Sequence, residues 1–161
     1  MAQSGSIEDR LAILDAIARY AHAWDDRDAD TYADCFTDDA VFEAYIASDP
    51  EPHIRKVTKA TILEWARGAH AGHLADRATK HTPNGTVFDE LGPDAARTRT
   101  MLLETVMRPE DGRPWLTNTG VYVDAWRRTP EGWKLARREM HHDRSQAPRP
   151  MDSPRATHER A

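Results

Sequence analysis

Four side chains able to take part in proton transfer stand where a fold could bring them together. Tyr20 and Asp25 lie at and just beyond the end of a predicted first helix, and the bulk of Trp24 would shield the carboxylate from water. His81 precedes a strand-like segment, and Glu104 lies inside a later one. Desolvation raises the proton affinity of a carboxylate, and histidine is the side chain best matched to proton transfer near neutral pH. Asp25 and His81 together would form a base held in one tautomer.

Each of these residues also has a purely structural interpretation. Asp25 could cap a turn, and His81 could hydrogen-bond backbone at the start of its strand. Alternation along 98–106 places Glu104 on the face opposite the arginines, where a carboxylate costs several kcal/mol unless it is paired or protonated. Glu104 therefore either forms a salt bridge with an arginine such as Arg138, or works as an acid or base.

The following strand carries polar residues that could contact a substrate. Asn118 and Tyr122 share one face of it and could orient a substrate oxygen. Asp124 lies on the same face and is expected to pair with Arg137 or Arg138 on the neighbouring strand.

Trp24 and two histidines at the end of the last strand complete the predicted substrate-binding set. His141 and His142 point to opposite faces, because successive side chains of a strand alternate. Parity with Trp133 and Leu135 favours His141 for the core side, although a β-bulge would reverse this assignment and turn His142 inward.

No metal or cofactor is expected. His70, His73 and His81 superficially suggest a zinc or iron site, but the segment is predicted to be a loop and no His-Glu-x-x-His pattern occurs. The glycine-rich signatures of nucleotide binding and the Gly-x-Ser-x-Gly of serine hydrolases do not occur either.

Composition and charge narrow the class of protein further. The chain has 161 residues, which fits one domain, and 39% hydrophobic with 30% charged residues is ordinary for a soluble protein. A net charge of −5 with scattered arginines argues against nucleic-acid binding, and no apolar run approaches the roughly 20 residues of a membrane span. Cys35 is the single cysteine and is expected to be a buried structural thiol. With no signal-peptide pattern at the N-terminus, a cytoplasmic location is predicted.

The apolar periodicity predicts helices first and an antiparallel meander afterwards, which is an α+β fold. Helices are predicted over 7–24, 29–36 and 58–69, and strands over 40–45, 86–88, 96–107, 117–128 and 133–142. The first helix should bury an apolar stripe made of Leu11, Leu14, Ile17, Ala21 and Trp24. Residues 1–6 are expected to be a flexible N-terminus, 7–142 the domain and 143–161 a disordered tail.

Two parts of the sequence resemble one family. The run Arg-Tyr-Ala-His-Ala-Trp-Asp at 19–25, followed by Phe-Thr-Asp-Asp-Ala at 36–40, is similar to the opening of SnoaL-like proteins of the NTF2-like superfamily. The segments Gly-Val-Tyr-Val-Asp at 120–124 and Gly-Trp-Lys-Leu-Ala-Arg-Arg at 132–138 resemble the last hairpin of that family. The resemblance extends over 7–142.

The resemblance implies a cone in which three N-terminal helices cover a curved, mostly antiparallel sheet that encloses a pocket, and it implies a homodimer or homotrimer. In the eliminating enzymes of the family an aspartate supports a histidine, and Asp25 and His81 match those positions. Tyr20 matches a tyrosine of the bile-acid dehydratase, and Glu104 falls where that enzyme has an aspartate. His142 stands in place of its arginine, which is a departure.

These observations predict a cofactor-independent acid–base lyase or isomerase, either a dehydratase or a cyclase. Its substrate would be a hydrophobic oxygenated small molecule such as a polyketide or a steroid-like compound. The alternative is a non-catalytic ligand-binding or assembly subunit of the same fold, like the small subunits of ring-hydroxylating dioxygenases.

Overall fold

Helices cover a single six-stranded sheet in the computed structural model, which describes residues 5–143. The helices are α1 (Ile7–Asp25), α2 (Ala29–Asp34) and α3 (Lys59–Ala71). The strands are β1 (Phe36–Ile46), β2 (Ile54–Val57), β3 (Ala78–Leu91), β4 (Ala95–Met107), β5 (Trp115–Thr129) and β6 (Gly132–His142). The predicted α+β class is therefore confirmed.

The strand order is β2-β1-β6-β5-β4-β3, and within residues 5–143 only the neighbours β1 and β6 run parallel. The sequence missed β2 and the first half of β3. β2 is a four-residue edge strand, too short for a periodic pattern. The first half of β3 turns polar side chains inward, including Thr79 and His81, so no alternation of apolar residues marks it as a strand.

Helix α1 begins at the predicted capping box, in which the Ser6 hydroxyl accepts from the Asp9 N–H at 3.1 Å. Its buried face keeps Ile17, Ala21 and Trp24 of the predicted stripe but not the two leucines, since Leu11 is 61% exposed and Leu14 40% exposed. The buried residues are Ile13, Ile17, Tyr20, Ala21, Ala23 and Trp24. The large aromatic rings in the second half of the helix, rather than its leucines, pack against α2 and β1.

The inward face of the sheet follows the predicted parity on β4 and β5. Its buried members are Ala96, Thr98, Thr100 and Leu102 on β4, and Asn118, Tyr122, Asp124 and Trp126 on β5. On β6 a register shift opposite Ala125 and Trp126 reverses the parity after Leu135. Leu135 is buried before the shift and Arg138 is buried after it, three positions further on. His142 therefore shares the inward face, and the assignment of His141 to the core side is wrong.

A fully buried ion pair lies at the centre of the core. Arg138 Nε and Nη2 donate to the two carboxylate oxygens of Asp124 at 2.7 and 2.8 Å, which is one of the two pairings predicted for Asp124. The guanidinium lies between the rings of Tyr20 and Tyr122, at 4.0 and 3.9 Å from their centroids. The charged pair thus attaches α1 to the middle of the sheet.

Both ends of the described chain are hydrogen-bonded to the domain. The Gly5 N–H donates to the Leu91 carbonyl at 2.9 Å, and the Asp143 N–H donates to the Thr119 carbonyl at 2.9 Å. The rest of the predicted tail, residues 144–161, lies outside the described residues, as do residues 1–4. Within the described part, no helix is both long and apolar enough to cross a membrane.

The core ion pair gives a first prediction. Asp124→Asn leaves the guanidinium of Arg138 buried without a counter-charge, so we expect the free energy of unfolding to fall by about 3–5 kcal/mol in urea denaturation. Asp30→Asn is the matched control, because it breaks an exposed ion pair to Arg67, and it should change stability little. Equal losses in the two variants would contradict the central position of the Arg138–Asp124 pair.

Candidate active site

Asp25 and His81 form a hydrogen-bonded pair where the end of α1 meets the start of β3. The His81 ring Nδ1 lies 2.8 Å from Asp25 Oδ1, and the His81 backbone N–H donates to Asp25 Oδ2 at 2.8 Å. The Thr79 hydroxyl lies 2.9 Å from the same Oδ1. Asp25 is the last residue of α1, so the length of the helix places its carboxylate against the strand.

These contacts fix the tautomer of the histidine. A carboxylate with three donors around it is stabilised in its ionised form, which can only accept. The Nδ1 of His81 therefore carries a proton, and its other nitrogen, Nε2, lies 3.4 Å from Glu104 Oε1. His81 stands between two carboxylates, one at each nitrogen.

The charges of the three residues stabilise one another. Burial alone would lower the pKa of His81, but hydrogen bonds and charge from Asp25 and Glu104 outweigh burial and raise it from 6.5 to about 9. Burial opposes ionisation of Asp25 and Glu104 as well, yet their contacts with His81 hold both pKa values below the ordinary range. At neutral pH the site therefore holds an imidazolium between two carboxylates.

Three inward-facing polar residues form a row across neighbouring strands. His81 on β3 is directly paired with Glu104 on β4, which is directly paired with Asn118 on β5. Asn118 Nδ2 donates to Glu104 Oε2 at 3.3 Å. The carboxylate fixes the orientation of the amide, since a flipped amide would set oxygen against oxygen. Asn118 Oδ1 is buried without a hydrogen-bond partner within residues 5–143.

This row can be approached from outside the core. The side chains of His81 and Glu104 are each 14% exposed, whereas the Asp25 side chain is 4% exposed. The Trp24 ring stands edge to face against His81, with 6.2 Å between centroids. His142 is close enough for its charge to lower the pKa of Glu104. A ligand would therefore meet His81 and Glu104, with Asp25 behind them.

Tyr20 lies in a different environment from the one the sequence predicted. Its hydroxyl is hydrogen-bonded to the Tyr32 hydroxyl at 2.9 Å, and its ring packs on Arg138. Burial raises the pKa of Tyr20. Tyr122 is fully buried beside it, and the Tyr122 hydroxyl has no hydrogen-bond partner in the described part of the chain. Tyr20 therefore belongs to the core cluster around Arg138 rather than to the Asp25–His81 pair.

His141 is excluded from the row by the bulge in β6. Its ring stacks on Tyr45 with 4.8 Å between centroids, and its Nε2 lies 3.1 Å from Glu139 Oε2. These partners lie on the outer face of the sheet, so His142 is the histidine that faces the site.

The other reactive side chains in the described part of the chain do not form a second centre. No group of three or more potential metal ligands occurs among residues 5–143, and His70 is buried edge to face against Trp24 at 4.7 Å. Cys35 lies with its Sγ 3.4 Å from the Thr31 carbonyl, and burial raises its pKa to about 11. A thiol with so high a pKa is a poor nucleophile near neutral pH, which agrees with the expected structural role.

Thr79 is the residue of this site that the sequence reading missed. It lies two positions before His81 and so shares its face of β3. The period of a strand gives only this shared face, whereas the contact with Asp25 joins residues 54 positions apart in the sequence.

Comparison with known proteins gives one family and one fold. A family model for a SnoaL-like domain matches residues 5–139. A candidate aromatic ring hydroxylase from Novosphingobium aromaticivorans is 32% identical over 85% of this chain and 90% of its own, with a TM-score of 0.69. No curated protein sequence matches the chain.

Two further structures from that organism are similar in fold alone. One is the beta subunit of a candidate aromatic-ring-hydroxylating dioxygenase, with 18% identity, coverage of 84% and 89%, and a TM-score of 0.73. The other is a candidate scytalone dehydratase, with 18% identity, coverage of 84% and 85%, and a TM-score of 0.69. The predicted NTF2-like fold is confirmed, because structures of that fold match as well.

The raised pKa of His81 gives a prediction for stability. A histidine whose pKa is raised by folding stabilises the folded state fully below its unfolded pKa of 6.5, and this contribution is lost as the pH rises through about 9. Between about pH 6 and about pH 10, the free energy of unfolding of the wild type should fall by about 3 kcal/mol more than that of His81→Gln. Urea denaturation at both pH values measures this difference. Parallel pH dependence in the two proteins would contradict the ionic state assigned to the site.

Proposed function

The chain belongs to the SnoaL-like family, and we propose that it is a cofactor-independent lyase or isomerase acting on a hydrophobic oxygenated small molecule. The observation that carries this proposal is the row in which His81 lies between Asp25 and Glu104. A buried, oriented histidine beside a second proton-carrying group is the minimum equipment for removing a proton at one atom and delivering one at another.

The proton held between His81 and Glu104 supplies both catalytic groups. In the substrate-free site it resides on the imidazole, and the pair is ionic. An apolar substrate that covers the row removes water from the ion pair, and a low dielectric favours the neutral forms of both partners. Transfer of that one proton from Nε2 to the carboxylate leaves a neutral imidazole base beside a carboxylic acid.

Dehydration of a β-hydroxy ketone then balances without a cofactor. The Nε2 of His81 takes the proton from the carbon next to the carbonyl, and the electron pair of the broken C–H bond forms an enolate. The enolate expels the β-hydroxyl, which leaves as water with the proton of Glu104. His81 is now cationic and Glu104 anionic, which restores the starting pair. Asp25 stabilises the imidazolium and keeps its ring in place.

An unpartnered polar atom supports an oxygenated ligand. Asn118 Oδ1 is a buried acceptor, and it costs free energy unless a donor reaches it. A substrate hydroxyl would supply such a donor. Trp24, whose ring stands against His81, would give the substrate an apolar contact. Tyr122 would orient a substrate oxygen deeper in the site. Tyr20 stabilises the core, so the role of the acid falls to Glu104.

A second candidate function is a non-catalytic binding or assembly subunit. The observation that favours it is the dense aromatic packing of the interior, formed by Trp24, Tyr32, Phe36, Phe42 and Trp65. A surface depression of about 550 Å³ lies between β2 and α3 and contains none of the predicted site residues. The 2.8 Å contact between Asp25 and His81 favours the enzyme.

The activity is tested with 3-hydroxy-1-tetralone, a β-hydroxy ketone fused to an aromatic ring, whose loss of water yields 1-naphthol. We expect the wild type to release 1-naphthol, and His81→Asn and Asp25→Asn to lower the rate about 10²–10⁴-fold, because each removes the oriented base. Absorbance of the product measures the rate.

Neighbouring residues of the same type provide matched controls. Asp26→Asn and His22→Asn change exposed residues of the same helix region and should leave the rate unchanged. Wild-type rates in His81→Asn and Asp25→Asn would refute the catalytic pair. No turnover of this or other β-hydroxy ketones by the wild type would favour the subunit instead.

A further inference from the structure

The carboxylate of Asp25 has a second side-chain partner besides His81, and that partner is itself held by an arginine. The Thr79 hydroxyl lies 2.9 Å from Asp25 Oδ1, and Arg27 Nη1 lies 3.0 Å from the same hydroxyl. Arg27 is in the turn directly after α1, and Thr79 is at the start of β3. Among residues 5–143, neither side chain is hydrogen-bonded to the row that a substrate would meet.

The direction of these hydrogen bonds follows from the groups themselves. A guanidinium has only donors, so the oxygen of Thr79 must accept from Arg27. A hydroxyl has a single proton, and an ionised carboxylate can only accept, so that proton must point to Asp25. Arg27 thus leaves the Thr79 hydroxyl one arrangement, in which it donates to Asp25.

The backbone of Arg27 indicates that its side chain is needed at this position. Its φ is 64°, in the left-handed region that favours glycine or asparagine. Arginine gains no local backbone stability there. Its guanidinium instead donates to the Leu74 and Arg77 carbonyls at 3.2 and 2.5 Å, and to the Trp24 carbonyl at 3.1 Å. These contacts join the end of α1 to the segment that leads into β3.

We propose that Arg27 and Thr79 are positioning residues of the active site, in which Arg27 commits the Thr79 hydroxyl to Asp25 and the carboxylate is thereby held in the plane that orients His81. The inference rests on the proposed function, since it assigns a role toward the Asp25–His81 pair. It adds a three-step chain, from Arg27 through Thr79 and Asp25 to His81, that begins outside the substrate-contacting row.

The charges around Asp25 define what its titration would report. Arg27 faces it from the turn after α1, His81 from β3, and Glu104 lies beyond His81 on β4. The contacts of Asp25 with His81 and Thr79 together hold its pKa below the ordinary value against the effect of burial. Loss of the Thr79 donor weakens the ionised form while leaving the charges in place.

The test is the titration of Asp25 in the substrate-free protein, followed by carbon-13 NMR of its side-chain carboxyl. Thr79→Val keeps the shape of the side chain and removes the hydroxyl, so we expect the pKa of Asp25 to rise by about one unit. Thr79→Ser keeps the hydroxyl and should return the pKa to its wild-type value. Thr86→Val is the matched control on β3, since its hydroxyl bonds to Thr100 rather than to the site.

Turnover of 3-hydroxy-1-tetralone gives the second readout. Thr79→Val should lower kcat about tenfold or more with little change in KM, because the base is misplaced while the substrate-contacting row is intact. Arg27→Met should lower kcat in the same direction, and Thr79→Ser should retain it.

The two readouts separate the failure of this inference from the failure of the proposed function. An unchanged Asp25 pKa in a folded Thr79→Val variant would overturn the positioning role whether or not the protein is an enzyme. A raised Asp25 pKa in a protein without turnover would support the hydrogen-bond chain and contradict the proposed function instead. A pKa that rises equally in Thr86→Val would show a general loosening of β3 and would also overturn the inference.

Discussion

The carboxylate of Asp25 is the acceptor on which the arrangement of the site depends. It accepts hydrogen bonds from the ring and the backbone N–H of His81 and from the Thr79 hydroxyl. One side chain of α1 therefore orders the first residues of β3. Because the carboxylate is ionised and can only accept, the Nδ1 of His81 must carry a proton, and Nε2 points to Glu104. The proton chemistry of the site follows from where α1 ends.

A second buried charge pair holds that helix in place. Arg138 and Asp124 satisfy each other at the centre of the sheet, and the guanidinium is enclosed by Tyr20 from α1 and Tyr122 from β5. Burying both charges is tolerable only because the pairing is bidentate and the ring faces are favourable for a cation. The core thus sets the position of α1, and α1 sets the position of Asp25.

Several parts of the site could be predicted from the alternation of side chains along a strand. Alternation placed Glu104, Asn118 and Asp124 on the inward face, and the structure agrees because β4 and β5 are regular up to those residues. The pairing of Asp25 with His81 was predicted from residue chemistry and family resemblance, and the 2.8 Å contact matches it.

The parts that were missed depend on register shifts and long-range contacts, which the alternation of residues along the sequence does not reveal. A single register shift in β6 exchanged the roles of His141 and His142. The buried face of α1 was chosen by aromatic packing against other elements, which also drew Tyr20 into the core. The contribution of Thr79 requires knowing that two residues distant in sequence meet at one carboxylate.

The imidazole of His81 is the most direct reporter of the whole account. Its titration can be followed by NMR of the carbon-bound ring protons in the substrate-free protein, without any assumption about the substrate. The arrangement of Asp25, His81 and Glu104 predicts a pKa of about 9, with Nδ1 protonated throughout the titration. A pKa near 6.5, the ordinary value, would mean that the two carboxylates do not stabilise the imidazolium, and it would contradict the proton-sharing site on which the proposed function rests.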